Sequence, residues 1–439
     1  MSSVSTAGTA PTTPGTSPGQ AAEPAKTEPD APPAGAFDAA AVYRDLHANP
    51  ELGFEEHRTS GIAAEHLAAA GFTVATGIGG TGVVGTLDRG DGPVVLLRAD
   101  MDALPVEEAT GLDYASTATT LDASGTSRPL MHACGHDVHT TCLLGAAYSL
   151  AADPGWTGRV IAVFQPAEEL GRGARAMVAD GLFDRFGTPD VVLGQHVAPL
   201  PAGVLGVHDG PAFAASDSLR VTLHGKGGHG SRPETTHDPV LMAASFVVRL
   251  QSIVSRVIGG SDVAVVSVGS LHAGTAPNII PDHATLELTV RTFDPAVRET
   301  VLATIERYAR AEALAAGSDR EPTVEPIESF PAVVNDPDAC GILRGAFADL
   351  PGVMVVDPGV VTGSEDVGIL ARESGAPCAY WLLGGSDPRH FAGASTIEEV
   401  AAVVAGLPSN HSPHFAPVTD PTLRVGVAAL TAAARRWLG

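Results

Sequence analysis

The spacing of hydrophobic positions changes character several times along the chain. From Phe37, "FDAAAVYRDLHANPELGFEEHRTSGIAAEHLAAAGF" repeats apolar residues at helical spacing, with Ile62, His66, Leu67 and Ala70 on one face and Gly71 as the stop. "PVVLLRADMDALP" is a short continuous apolar run that ends in acidic residues and a proline. That is the pattern of a buried parallel strand whose C-terminal end carries chemistry. "TTCLLGAAYSLAA" reads as an apolar helix and "RVIAVFQPAEE" as a buried strand with carboxylates at its end. "DVVLGQHVAP" reads as another strand, with His196 just after it. The alternation predicts an α/β domain with a largely parallel sheet and helices on both faces.

Between about Ala215 and Ser329 the period shortens to two. "DSLRVTLHGKGGHGS" and "ATLELTVRTFD" alternate as half-exposed antiparallel strands do, and two amphipathic helices, "DPVLMAASFVVRLQSIVSR" and "PAVRETVLATIERYARAEALAAG", accompany them. An inserted α+β domain over 215–329 is expected, with one sheet face covered by helices. The first domain is then discontinuous, over 37–214 and 330–439, resuming at "CAYWLLGG" and closing on "NHSPHF" and a last helix. Residues 1–36 hold seven prolines and almost no large apolar side chains. A segment of that kind cannot bury enough surface to fold and is expected to be a disordered tail.

Composition narrows the partners. With 26 Lys+Arg against 50 Asp+Glu, the formal charge is −24 and the pI is near 4.9. Such a surface repels nucleic acid and anionic membranes, so neither is expected as a partner. Cys134, Cys142, Cys340 and Cys378 are too sparse for a disulfide framework, which points to a reducing, cytoplasmic setting. No apolar run reaches the roughly 18 residues of a membrane span, and no secretory signal pattern opens the chain.

The chemistry concentrates in "MHACGHDVHTTC". Cys134 and His136 are two apart and meet only where the chain is irregular, as Gly135 permits. A thiolate and an imidazole that converge suit a borderline-soft divalent metal. A buried apolar cysteine beside hydrogen-bonded histidines is the competing reading. In "FQPAEE", Glu168 and Glu169 project differently, so one can bind a metal while the other handles a proton; a solvated glutamate pair is the alternative. His196 follows a third strand. Three strand ends with ligand-type side chains point to one shared site. A Cys-His nucleophile would leave the glutamates unexplained. There is no G-x-S-x-G elbow, phosphate-binding G-x-x-x-x-G-K-[ST] loop or H-E-x-x-H helix, and "GTGVVG" lacks dinucleotide spacing.

Together "HANPELGFEE", "LRADMDALP", "MHACGHDVHT", "FQPAEE", "GKGGHGS", "GTAPNIIPD", "GSEDV" and "NHSPHF" run in order over about 380 residues. The chain resembles the dinuclear metallo-amidohydrolases that include hippurate hydrolases, N-acyl-amino-acid amidohydrolases and auxin-conjugate hydrolases, relatives of carboxypeptidase G and aminoacylase. The resemblance implies two divalent ions per subunit (Zn²⁺ or Mn²⁺, with Co²⁺ or Ni²⁺ as alternatives), held by Cys134, His136, Glu169, His196 and His411. It implies Glu168 as general acid/base and Asp102 as the residue that orients a ligand. His229 matches a histidine that reaches a partner subunit's site, and Asn278 an asparagine associated with substrate. Arg291 is a candidate substrate-carboxylate contact, with an exposed strand arginine as the alternative. The implied activity is hydrolysis of N-acyl or N-aroyl amino acids by a homodimer whose inserted domain serves as lid and dimer contact. A dipeptidase or aminopeptidase on the same site, or a silent metal-dependent binding protein, are the other readings. "STATTLDASGTSRPL" and "GGSDPRHFAGAS" depart from the family pattern and are expected to reshape the pocket rim.

Overall fold

Four apolar strands, Arg159–Gln165, Val94–Asp100, Val191–Pro201 and Cys378–Ser386, lie side by side and parallel in the computed structural model, which describes residues 37–122 and 124–439. Both faces of these strands are buried, which is why their sequences are continuous rather than alternating. Leu96, Ile161 and Val192 pack against Met177, Leu182 and Leu370 on one face. The helices His136–Ala152 and Thr419–Leu438 cover the other. The flanks are mixed. Gly82–Asp88 and Thr73–Ile78 continue the sheet antiparallel on one side. Val204–Gly206, antiparallel, and Met354–Val356, parallel to it, complete eight strands on the other.

The strand carrying His196 is longer than its apolar run suggests. It extends from Val191 to Pro201, so His196 lies inside it rather than after it. The reason is its neighbour: Cys378–Ser386 pairs alongside past the histidine, with Leu382 opposite His196.

A second, four-stranded antiparallel sheet occupies the period-2 region, in the order Ala264–Ala273, His283–Thr292, Ala215–His224, Thr323–Phe330. Its buried residues, among them Val221, Leu286 and Leu288, pack on the helices Pro239–Ser252 and Pro295–Ala315. We propose 215–329 as the inserted domain, since this sheet starts and ends there. The helix over Pro239–Val257 is long and apolar enough, by length and composition, to cross a membrane. It instead buries Met242, Ala243, Phe246 and Leu250 against the sheet and leaves Val240, Leu241, Val248 and Val254 exposed. The expected disordered tail lies outside the described residues. The polar stretch before Met131 forms a short hairpin, Thr119–Leu121 with Ser127–Pro129, whose turn is tied by the Asp122 carboxylate.

Candidate metal centre and active site

Gly135 sits in the left-handed region, with φ +85°, directly before the helix His136–Ala152. This turn lets Cys134 and His136 face one point although they are two apart. A Cβ added at Gly135 would lie 2.3 Å from Val197 Cγ1. Gly135→Ala is therefore expected to destabilise the chain by about 2–4 kcal/mol, from left-handed strain plus overpacking. It should also lower the divalent metal retained per chain, measured by elemental analysis; unchanged retention would show that the turn is not what aims the pair.

The donors named from the sequence converge. Cys134 Sγ is 3.6 Å from His196 Nε2, and His411 Nε2 is 3.2 Å from Glu169 Oε1. His136 Nε2 is 3.9 Å from both Glu168 Oε2 and Glu169 Oε1. Cys134 groups with His136 and His196 on one side and with Glu169 and His411 on the other, each set within 4.8 Å.

Tautomers are set from behind. His136 Nδ1 donates to Asp102 Oδ1 at 3.2 Å and His196 Nδ1 to the Val197 carbonyl at 2.9 Å, so both Nε2 lone pairs face the cluster. Asp102 also accepts the Glu168 and Glu169 backbone N–H groups at 3.1 and 2.9 Å, which joins the histidine to the glutamate turn. Buried His136 Nε2 has no hydrogen-bond partner, and Glu169 Oε1 faces His411 Nε2 at 3.2 Å. Sulfur, nitrogen and oxygen donors converging in a largely buried cluster fit divalent cations, which would satisfy them together.

Electrostatics agree with that fit. Burial raises Glu168 well above the usual carboxylate range, and Glu365, Glu169 and Asp366 push it further. Glu169 is held below its usual value: burial opposes this, but its hydrogen bond to His411 and the charge of His136 prevail. Hydrogen bonds to Cys134 and Glu169 raise His411 to about 10. The acids and the thiol draw positive charge onto His136 and His411, whereas burial pushes His196 well below the usual imidazole range.

Two positions at the site are backbone outliers. His411 has φ +70°, and Ala167, just before the glutamates, has φ +47°. Non-glycine residues persist there only when neighbours over-determine them. The Ala167 N–H is held by buried Glu56 at 2.7 Å, and the His411 N–H by the Ala133 carbonyl at 2.8 Å. Asn410 donates to the carbonyls of Cys134 and Val197, both at 3.0 Å, and so joins the last motif to the first.

Arg291 reaches this site and is not a free strand arginine: it lines the same cavity, of about 710 Å³, and donates to the Thr362 carbonyl at 2.6 Å and to Ser364 at 3.1 Å. His229 and Asn278 do not reach it within one chain. They lie on a separate exposed two-stranded ribbon, Gly228–His229 with Ile279–Ile280, and neither lines the cavity. Val404, from the helix that follows "GGSDPRHFAGAS", does. Arg98, Asp100, Glu365 and Asp366 form a layer beneath the cluster to which sequence reasoning assigned no role. Arg98 donates to Asp100 at 2.6 Å, Gln165 at 2.9 Å and Asp366 at 3.0 Å, with Glu365 at 2.8 Å. Asp100 in turn accepts from His139 Nδ1 at 2.5 Å. The signal was present as charged residues inside an otherwise apolar strand.

Residues 96–436 match the model of peptidase family M20/M25/M40. The chain belongs to that family. The chain is similar to the hippurate hydrolase of Campylobacter jejuni, 39% identical over 346 residues, 78% of this chain and 86% of that protein. The N-acetyl-L-cysteine deacetylase of Bacillus subtilis is 36% identical over 367 residues, 83% of this chain and 84% of the relative. Among solved structures, the YXEP protein of Bacillus subtilis, described as a dinuclear metal-binding peptidase of the M20 family, superposes with a TM-score of 0.72 at 29% identity, over 91% of this chain and 98% of that one. As an M20 member the chain is a metal-dependent amidohydrolase, with the cluster of Cys, His and Glu donors as its candidate cation site.

Proposed function

We propose that this M20 enzyme hydrolyses the amide bond of N-acyl or N-aroyl amino acids. The observation that carries the reading is the set of converging Cys, His and Glu donors around Glu168 in a cavity that also has an apolar stretch of wall. Leu200, Phe213, Val361, Leu382 and Val404 line the cavity and suit an acyl or aroyl group, with Arg291 available to the substrate carboxylate. Cys134, His136 and His196 would hold one cation, and Cys134, Glu169 and His411 a second. Such ions supply Lewis acidity, which lowers the pKa of a nearby water and polarises the amide carbonyl. Glu168 then takes the proton of the attacking water and returns it to the departing amine nitrogen. Asp102 keeps His136 and both glutamates in register. A thiolate among imidazoles and carboxylates favours Zn²⁺ or Mn²⁺, with Co²⁺ or Ni²⁺ as substitutes.

A homodimer completes the proposal. The helix carrying Leu241 and Val248 and the edge strand carrying Val265 and Leu271 leave large apolar side chains exposed on the inserted layer that also bears His229 and Asn278. A second copy seated there would bring those two residues to the site, with His229 facing the developing oxyanion. All four cysteines are free and buried, which supports the cytoplasmic reading.

One preparation tests the proposal. Purified protein with Zn²⁺ or Mn²⁺ should sediment as a dimer, hold about two ions per chain, and cleave benzoyl-glycine faster than unblocked dipeptides. A faster rate on dipeptides would make it a dipeptidase on the same site. Two bound ions with no cleavage of either class would make it a silent binding protein.

A further inference from the structure

One wall of the active-site cavity comes from the four-stranded sheet, and strand register decides which side chains it presents. Arg291, Ser216 and Phe330 are direct cross-strand partners, Arg291 opposite Ser216 and Ser216 opposite Phe330, and all three line the cavity. Alternation turns their chain neighbours the other way. Asp217 and Ser329 bond Arg298 on the helix-covered face, with Arg298 to Asp217 at 2.7 Å. Two residues before Phe330, on the cavity side, stands Glu328.

Glu328 is half-buried and its carboxylate has no hydrogen-bond or ion-pair partner among the described residues. Arg291 does not neutralise it by contact, because its guanidinium is held by Thr362 and Ser364. Burial and the charge on Glu169 push the Glu328 carboxyl up and the charge on Arg291 offsets part of this, so it stands in the cavity as an acid with no partner in contact.

Two strand spacings across and two residues along separate Arg291 from Glu328 by roughly 12 Å between Cα atoms. A basic amino acid gripped at its carboxylate and at its side-chain cation, with a contact of about 3 Å at each end, bridges a gap of that order. We propose that Glu328 is a specificity residue that selects N-acyl amino acids whose amino-acid half carries a side-chain cation, such as lysine, ornithine or arginine. The assignment rests on the amidohydrolase reading above and adds the substrate class. Glu328 binds the cation while Arg291 receives the carboxylate, so the amide is presented with its acyl group toward the apolar lining.

Three substrates that share an acyl group and differ in side-chain charge test it: Nα-benzoyl-lysine, Nα-benzoyl-norleucine and Nα-benzoyl-glutamate, compared by kcat/KM on the metal-loaded enzyme. The wild type should favour lysine over norleucine by about tenfold, the size expected of a half-buried ion pair, mainly through KM. Glu328→Gln should bring that ratio close to one, and Glu328→Lys should reverse the order of lysine and glutamate. A lysine-to-norleucine ratio that is the same in the wild type and in both variants overturns the proposal while leaving the amidohydrolase reading in place. No turnover of any of the three by the wild type overturns both. A cation preference found only when the amine is on the acyl half, as in lysyl-glycine against benzoyl-glycine, also overturns it, since it would turn the substrate around.

Discussion

Glu168→Gln is expected to lower kcat by about a thousandfold, the range for loss of a positioned general acid/base, while two divalent ions stay bound. Two acidic side chains compete for this role, and the geometry separates them. Glu169 lies 3.2 Å from His411 Nε2 and groups with Cys134 and His411. Glu168 is turned instead toward the buried acids Glu365 and Asp366, whose charges hold its proton more tightly. A carboxyl held above its usual range at a site of water activation suits proton transfer better than metal ligation. The paired variant Glu169→Gln should behave differently and lose metal as well as rate. Elemental analysis beside steady-state kinetics on both variants reads the distinction directly. Loss of metal from Glu168→Gln and retention by Glu169→Gln would exchange the two roles.

The reading from sequence reached furthest where chemistry and chain geometry coincide in a few consecutive residues. "HACGH" announces its own turn, since the glycine between two donors is what allows them to meet. The four parallel strands were visible because burial on both faces leaves an uninterrupted apolar run. What sequence could not show depends on who sits next to whom. His196 was placed past its strand because the run "VVL" ends early, and only the pairing with Cys378–Ser386 carries the strand on to Pro201. Asp100 and Arg98 are polar letters in an apolar word, and the Arg98 partners Glu365 and Asp366 lie more than 260 residues away. Glu328 was one acid among fifty, and register alone turns it into the cavity. His229 and Asn278 do not line the cavity within one chain.

The second large effect is on stability. Arg98→Met should cost about 3–5 kcal/mol, the penalty of breaking a buried ion network from one side. The Arg98 side chain is fully buried, and so are Asp100, Glu365 and Asp366 around it. It satisfies three carboxylates, Gln165 and the Tyr380 hydroxyl at once, and no other arginine or lysine is paired with that group among the described residues. Methionine fills similar space but leaves the acids facing one another beneath the glutamate turn, where Asp366, raised by burial despite Arg98, already stands at about 7. The urea midpoint at neutral pH should fall accordingly with little change in slope. Adding Glu365→Gln and Asp366→Asn to Arg98→Met should restore part of the loss, because removing the stranded charges removes the repulsion; coupling of this kind is expected of residues in one network. If Arg98→Met alone stays within about 1 kcal/mol of the parent, below any buried-pair penalty, the three carboxyls are already neutral in the folded chain and the arginine is not what holds them together.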